Sequence, residues 1–187
     1  TLSDYNAKAT FFVIGTSKTE YMKSITDAGH SIGLHSATHQ YSQIYTSADA
    51  YFEDLESISN IVESKTGVKS RLIRFPGGSS NSVSANYKRG IMTELTKAVE
   101  ERGYCYFDWN VSSGDAAGSN KPIDFIVNNI PNGAADKNSI CVLMHDSDSK
   151  QTTVEALPKV IENLSDMGFR FEKLTEETYG YHHGVNN

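Results

Sequence analysis

The sequence contains little of what marks several specialised classes of protein. Only two of its 187 residues are cysteine and four are proline, and 21% are charged. These values argue against a disulfide scaffold, a collagen-like chain and a disordered chain. Acidic residues outnumber basic ones, 23 to 17, and no basic stripe suited to nucleic acid is visible. The longest purely apolar runs, such as residues 140–144, are far shorter than the roughly 20 residues that span a bilayer.

What remains is the composition of an ordinary globular protein, and the length favours one domain. Cys105 and Cys141 each lie in an apolar, strand-like run, which favours small buried side chains. A disulfide between them would need two strands that place them side by side. Two cysteines therefore leave the redox compartment of the protein undecided.

Short apolar runs alternate with longer helical patterns along the chain. Helices are predicted over residues 20–28, from a Ser47 cap to Gly67, over residues 88–102, after Pro122, and over residues 152–167. Strands are predicted over residues 9–14, 31–34, 72–75, 104–107, 140–144 and 169–174. Apolar strands joined by helices indicate an α/β fold with a parallel sheet, in which ligands bind at the carboxyl ends of the strands.

Two histidines follow the second predicted strand. His35 and His39 are four residues apart, so that on one face of a helical turn both imidazoles could reach one metal ion. The chain has six histidines, and a single His-x-x-x-His is more often surface chemistry than a metal site. The pair therefore needs support from the other strand ends.

Further reactive side chains follow the later strands. Arg74 can pin a carboxylate, and Gly77 lets a backbone N–H approach a ligand closely. Trp109 and Asp115 follow the fourth strand, although a lone tryptophan is typical of a core and an aspartate can simply cap a turn. His145 directly follows the apolar fifth strand, where it is well placed for acid–base chemistry.

Histidines, an arginine and an aspartate at successive strand ends of one parallel sheet describe a metal-assisted hydrolase. A serine hydrolase that uses Ser36 and His145 is the alternative. The chain has no Gly-x-Ser-x-Gly elbow, however, and Ser36 lies between the two candidate metal ligands.

The same residues form ordered motifs. Residues 35–39 read His-Ser-Ala-Thr-His, residues 74–78 read Arg-Phe-Pro-Gly-Gly, Asp115 follows, and residues 143–145 read Leu-Met-His. In these motifs, and over nearly its whole length, the chain resembles the polysaccharide deacetylases of carbohydrate esterase family 4, the NodB-homology domain. Residues 74–81 and 106–115 are most similar to Gram-positive peptidoglycan N-acetylglucosamine deacetylases.

The resemblance implies an α/β fold that is a distorted (β/α) barrel of the polysaccharide deacetylase type. Residues 1–187 would form its catalytic domain without the N-terminal strand, which carries the motif Thr-Phe-Asp-Asp-Gly. In the family, the first of these aspartates is the catalytic base and the second is a metal ligand. Because this sequence begins after that strand, we expect an upstream segment of the same protein to complete the barrel and to be required for activity.

The resemblance also assigns roles to the motif residues. His35 and His39 would bind one divalent metal, zinc by default, with cobalt, manganese, iron or nickel as alternatives. His145 would protonate the leaving amine as general acid, Asp115 would orient His145, and Arg74 would hold the catalytic base.

Three residues are expected to contact the substrate. The backbone N–H of Gly77 would stabilise the oxyanion, Leu143 would line the pocket for the acetyl methyl group, and Trp109 would also bind substrate. Ala116 departs from the family, in which many members have tryptophan after the fourth-motif aspartate, and this leaves the shape of the substrate groove open.

The function that follows is removal of acetyl groups from N-acetylglucosamine units of a polysaccharide, with peptidoglycan or a chitin-like polymer as partner. Acetyl-xylan esterase and chitin deacetylase are sibling activities. A different class, a catalytically incomplete metal- or glycan-binding domain, is motivated by the Asp-Asp motif that this sequence does not contain. Since peptidoglycan lies outside the membrane, we expect an extracellular or envelope-associated protein, with no nucleic-acid partner and no membrane span in this chain.

Overall fold

The computed structural model describes residues 1–15 and 18–187. Their contacts form two compact units. The larger unit consists of Ala9–Asp108 and Lys173–Asn187, and the smaller unit consists of Thr1–Lys8 and Trp109–Glu172. Each unit combines helices with parallel strands, which confirms the predicted α/β class.

The larger unit is built on a four-stranded parallel sheet whose spatial order follows the chain. Its strands are β1 Thr10–Ile14, β2 Ser31–Ser36, β3 Leu72–Ile73 and β4 Cys105–Tyr106. Thr10 pairs with Ser31, Leu34 with Ile73, and Ile73 with Tyr106. This register brings the carboxyl ends of β2, β3 and β4 to one edge of the sheet, where the loops with candidate residues begin.

In the described part of this unit, the sheet is accompanied by the helices α1 Met22–Asp27, α2 Tyr41–Ile44, α3 Ala48–Thr66 and α4 Ile91–Glu101. The termini of α3 confirm the prediction. The Ser47 hydroxyl accepts a hydrogen bond from the backbone N–H of Ala50 at 3.0 Å, and Gly67 ends the helix with a left-handed φ of 74°. Leu55 and Ile58 are fully buried on the inner face, and each stabilises the fold by about 1.5–3 kcal/mol.

Helix α4 begins at Ile91, three residues later than predicted. Its N-terminus is capped from a distant part of the chain. The backbone N–H of Gly90 donates to Oδ1 of Asn187 at 2.7 Å, and the N–H of Thr93 donates to the Asn187 carbonyl at 2.7 Å. Because Gly90 has no side chain, Asn187 supplies the acceptors that a local capping residue would provide.

The smaller unit contains a separate two-stranded parallel sheet. Its elements are β5 Val111–Ser112, α5 Ile123–Ala134, β6 Val142–Leu143 and α6 Gln151–Asp166. Val111 pairs with Val142, and Ser112 with Leu143. The apolar faces of the helices bury a cluster formed by Val111, Ile126, Ile130, Ala156, Val160 and Leu164.

Three predictions about the strands were wrong. The strands belong to two sheets instead of one, and residues 111–112, which lie outside the predicted strands, form β5. Residues 169–174 form no strand. Side chains satisfy polar groups at the end of this run, since the Leu174 N–H donates to the Thr10 hydroxyl at 2.8 Å and the Leu174 carbonyl accepts from the Ser31 hydroxyl at 2.8 Å.

Neither Cys105 nor Cys141 forms a disulfide in residues 1–15 and 18–187. In the same part of the chain, no helix is both long enough and apolar enough to cross a membrane.

Candidate active site

His35 lies on β2, in the larger unit, and is half-buried. Its Nδ1 lies 2.6 Å from the backbone carbonyl oxygen of Arg74. A carbonyl can only accept, so Nδ1 carries the proton and Nε2 carries the lone pair. Metal-binding histidines commonly have this tautomer, fixed by this type of second hydrogen bond.

His39 lies beside His35, but not on a helix. The strand β2 continues to Ser36, and His39, with a left-handed φ of 57°, follows a bend at residues 37–38. The prediction of a helical turn was therefore wrong. The two imidazole rings nevertheless lie close together, with ring centroids 5.1 Å apart and planes inclined by 44°.

Asp54, on α3, holds the turn that joins the two histidines. Its Oδ2 accepts hydrogen bonds from the Ser36 hydroxyl at 2.6 Å and from the Ala37 N–H at 2.9 Å. Its Oδ1 accepts from the N–H and the hydroxyl of Thr38 at 2.9 and 2.8 Å. The Ser36 oxygen then accepts from the N–H of His39 at 2.8 Å. One carboxylate thus binds three consecutive residues of the turn.

The same contacts argue against Ser36 as a nucleophile. Ser36 is 1% exposed, and its hydroxyl proton is directed to a carboxylate oxygen of Asp54. A catalytic serine instead gives its proton to a general base and faces the substrate.

The two imidazoles fit the histidine part of a metal centre. The hydrogen bond of His35 selects a tautomer that can ligate through Nε2, and His39 lies next to it. No group of three or more His, Cys, Asp or Glu side chains that could hold a metal ion occurs among the described residues. The described part of the chain therefore supplies two candidate ligands.

Arg74 follows β3 and is buried. Its Nε donates to the Phe107 carbonyl at 2.9 Å and its Nη2 to the Asp108 carbonyl at 3.0 Å, while the guanidinium lies 4.4 Å from the ring centroid of Phe12. These contacts fix the side chain, and the Arg74 carbonyl fixes His35. Arg74 therefore connects the end of β3 to both neighbouring strands of the sheet.

Gly77 lies in the turn after Arg74 and is exposed, with a left-handed φ of 82°. A Cβ atom at this position would come within 2.6 Å of the Tyr41 hydroxyl oxygen. The position thus favours glycine for two reasons, backbone conformation and close approach.

Asp108, which no sequence motif indicates as a site residue, is fully buried and contacts the residues after this turn. Its carboxylate accepts from the Ser79 N–H at 2.8 Å, from the Ser79 hydroxyl at 2.5 Å and from the His183 N–H at 2.9 Å. It therefore binds the loop after β3 to the C-terminal segment of the larger unit.

In the smaller unit, Asp115 and His145 are brought together by the register of β5 and β6. Ser112 pairs with Leu143, and the Ser113 N–H donates to the Leu143 carbonyl at 3.0 Å. Asp115 and His145 follow within three residues of this pair. The His145 Nδ1 lies 2.8 Å from Oδ1 of Asp115, and the His145 N–H donates to Oδ2 at 2.7 Å.

The two side chains differ in exposure: that of Asp115 is 2% exposed and that of His145 is 41% exposed. Burial opposes ionisation of Asp115. Hydrogen bonds from the side chain and backbone of His145 and from Ser113 outweigh it, so the pKa of Asp115 lies below its ordinary value. Asp115 is thus an anionic acceptor, and Nδ1 of His145 carries the proton.

Two more side chains that the sequence did not single out bind Asp115. The Thr153 hydroxyl donates to its carboxylate at 3.0 Å, and the Lys150 ammonium group donates to its backbone carbonyl. Of the predicted substrate residues, Leu143 lies on β6 and is half-buried, as is Trp109. Trp109 is therefore not a fully buried core residue.

The structure thus brings together His35, His39 and Arg74 in the larger unit, and Asp115, Leu143 and His145 in the smaller one. The motif order could suggest these groups, but it could not identify Asp54, Asp108, Lys150 or Thr153.

Comparison with known proteins gives a consistent picture. The polysaccharide deacetylase family model matches residues 1–93. A peptidoglycan-N-acetylglucosamine deacetylase of Bacillus cereus is 29% identical over 186 residues, covering 96% of this chain and 64% of the relative. Another protein of that name from the same organism is 31% identical over 180 residues, covering 94% of this chain and 77% of the relative. The chain therefore spans less than two thirds of the length of the first of these two relatives.

Among solved structures, the catalytic domain of peptidoglycan N-acetylglucosamine deacetylase from Eubacterium rectale superimposes with a TM-score of 0.95 at 43% identity. The match covers 100% of this chain and 84% of that one. This similarity confirms the expected fold type.

Proposed function

This chain belongs to the polysaccharide deacetylase family, and from that premise we propose that it removes acetyl groups from N-acetylglucosamine units of peptidoglycan. The names of the relatives support the substrate. The observation that carries the chemistry is the contact between the buried carboxylate of Asp115 and the half-exposed imidazole of His145.

Hydrolysis of an amide releases an amine, which is a poor leaving group until it is protonated. We propose that His145 supplies this proton as general acid. Its Nδ1 is engaged by Asp115, so the proton would leave from Nε2. The hydrogen bond to Asp115 also fixes the orientation of the ring from which this proton would leave.

We propose that His35 and His39 hold a divalent metal, zinc by preference, with cobalt, manganese, iron or nickel as alternatives. When bound, such a metal supplies Lewis acidity and lowers the pKa of water. The hydrogen bond from His35 to the Arg74 carbonyl orients the first ligand, and Asp54 fixes the turn that carries the second.

The remaining motif residues receive roles in positioning and binding. Arg74, buried and held by two carbonyls, would position the general-base carboxylate that the family takes from its first motif. The Gly77 N–H would donate to the oxyanion. Leu143 would border the acetyl methyl group, and Trp109 would contact the glycan. With peptidoglycan as substrate, the protein would work outside the cell or in its envelope.

The test is acetate release by the purified full-length protein from peptidoglycan, chitin oligosaccharides and acetylated xylan. We expect release from peptidoglycan first, and loss of about 100-fold or more in His145→Ala, the size of a missing general acid. The matched control is Asp148→Asn, an exposed carboxylate in the turn that follows His145. Loss of activity on chelation, restored by zinc, would support the metal assignment.

Other outcomes decide between the alternatives. Faster acetate release from acetylated xylan would identify an acetyl-xylan esterase, and faster release from chitin oligosaccharides would identify a chitin deacetylase. A protein that binds zinc and glycan but releases no acetate would be a binding domain, and the proposal would be abandoned.

A further inference from the structure

The start of α6 contacts the carboxylate of Asp115. The Thr153 hydroxyl donates to Oδ2 of Asp115 at 3.0 Å, and Thr153 is 4% exposed. The same oxygen accepts from the His145 backbone N–H at 2.7 Å, which leaves Oδ1 directed at the His145 ring. Two donors on Oδ2 therefore prevent the carboxylate from rotating away from the imidazole.

Lys150, just before α6, is buried at 8% exposure. Its ammonium group donates to the backbone carbonyls of Asp115 and Gly118, and lies 3.5 Å from that of Ala116. Its partners in the described part of the chain are all carbonyl oxygens. A buried ammonium group costs free energy unless its donors are satisfied, and here three carbonyls of one short loop satisfy them. Lys150 thus fastens residues 115–118 to the start of α6.

We infer that Thr153 is a positioning residue for the Asp115–His145 pair, and that Lys150 holds the loop from which Asp115 projects. Neither side chain acts on substrate in this inference. Thr153 sets the rotation of the carboxylate, and Lys150 sets the position of its backbone. The inference rests on the proposed function, because it treats His145 as the general acid.

The first test compares Thr153→Val, which removes the hydroxyl and keeps the shape, with Thr153→Ser, which keeps the hydroxyl. We expect kcat to fall about 10-fold in the valine variant with KM unchanged, as for other outer-shell partners, and serine to restore most of it. Thr152→Val is the matched control, since the buried Thr152 hydroxyl has no hydrogen-bond partner among residues 1–15 and 18–187. It should leave kcat unchanged.

A double-mutant cycle separates positioning from a general structural effect. If Thr153 acts through Asp115, then Thr153→Val should cause no further loss in a protein that already carries Asp115→Ala. If the kcat losses of Thr153→Val and Asp115→Ala multiply in the double variant, the inference is wrong. A valine variant with the kcat of the unmodified protein would also overturn it.

The second test does not depend on activity. The neutral His145 ring should carry its proton on Nδ1, and long-range proton–nitrogen NMR reads this tautomer directly. We expect the Nδ1–H fraction to fall in Thr153→Val and to remain in Thr153→Ser and Thr152→Val. If the unmodified protein releases no acetate, the proposed function fails, while the tautomer still decides whether Thr153 positions the pair. An unchanged tautomer in the valine variant would refute that role.

Hydrogen exchange tests the role of Lys150. In Lys150→Met, amide protons of residues 115–118 should exchange at least about 10-fold faster, because the loop loses its anchor. Lys137→Met, at a surface lysine paired with the exposed Asp136, is the control and should leave that segment unchanged. Equal exchange in both variants would remove Lys150 from the inference.

Discussion

Asp54 makes four hydrogen bonds to the turn between the candidate metal ligands, and its removal should be costly. In Asp54→Ala, the Ser36 hydroxyl, the Ala37 N–H and both Thr38 donors lose their acceptor. Because Ser36 is buried, leaving its hydroxyl without an acceptor costs about 1–3 kcal/mol. Ala37 and Thr38 are only half-buried, so water replaces part of each of their bonds, at about 0.5 kcal/mol each. We expect a total destabilisation of about 2.5–4.5 kcal/mol.

Urea denaturation at pH 7 measures this loss. Glu56→Ala is the matched control, since Glu56 is an exposed carboxylate on the same helix and should change the free energy of unfolding by less than about 0.5 kcal/mol. The loss of unfolding free energy in Asp54→Asn should fall between those of Asp54→Ala and Glu56→Ala. An amide keeps one acceptor oxygen but turns an NH₂ group toward the other donors.

The reasoning would be refuted by an Asp54→Ala variant as stable as Glu56→Ala. The four donors that Asp54 binds would then bond to water without any loss of stability. A variant that is destabilised as expected should also bind cobalt about 10–100-fold more weakly, since the turn carrying His39 would be released.

Three further predictions follow from single contacts. Because the folded-state pKa of Asp115 is depressed, its stabilisation is present above the unfolded-state pKa of about 3.9 and is lost as pH falls through the folded value. The stability difference between the unmodified protein and Asp115→Asn, from urea denaturation, should therefore shrink between pH 7 and pH 3; a constant difference would contradict this. Asn187→Ala should destabilise by about 1 kcal/mol in thermal unfolding, as for a lost helix cap, and an unchanged melting temperature would show that the cap is dispensable. Gly77→Ala and Gly67→Ala both place alanine at positive φ, at about 1–2 kcal/mol, but only a Cβ at position 77 also meets side chains, those of Tyr41 and Asn81. Chemical denaturation should show the larger loss of stability at Gly77, and equal losses would mean that both side chains move aside without cost.

Helix α3 shows what the sequence can predict. Its apolar spacing, its serine cap and its terminal glycine all lie within the helix or next to it, and all three agree with the structure. The start of α4 shows the limit. Its capping acceptors come from Asn187, 97 residues from Gly90, and no local pattern contains that information.

The strands were harder to predict, because a strand is defined by its partner. Residues 169–174 are apolar enough to form one, yet Leu174 bonds to the hydroxyls of Thr10 and Ser31 instead of to a ladder. Residues 111–112 contain only one apolar side chain, and they become a strand because Val142 and Leu143 pair with them. The i, i+4 spacing of His35 and His39 wrongly indicated a helical turn, for a related reason. The turn between them takes its shape from Asp54, whose carboxylate competes for the backbone N–H groups that a helix would use.

The candidate residues are therefore of two kinds: those that sequence motifs identify, and those that only the contacts of the folded chain identify. The imidazoles of His35, His39 and His145 are only partly buried or exposed, and their motifs reveal them. The carboxylates of Asp54 and Asp115 hold these rings, or the loops that carry them, from positions 15 to 30 residues away along the chain. On its own, each aspartate looks like a helix-surface charge or a turn cap. A carboxylate that accepts three or four hydrogen bonds fixes a loop in one conformation, whereas a solvated one fixes nothing. The conformation of the site thus depends on residues whose importance only the folded contacts reveal, and substitutions at Asp54 and Thr153 are its sharpest tests.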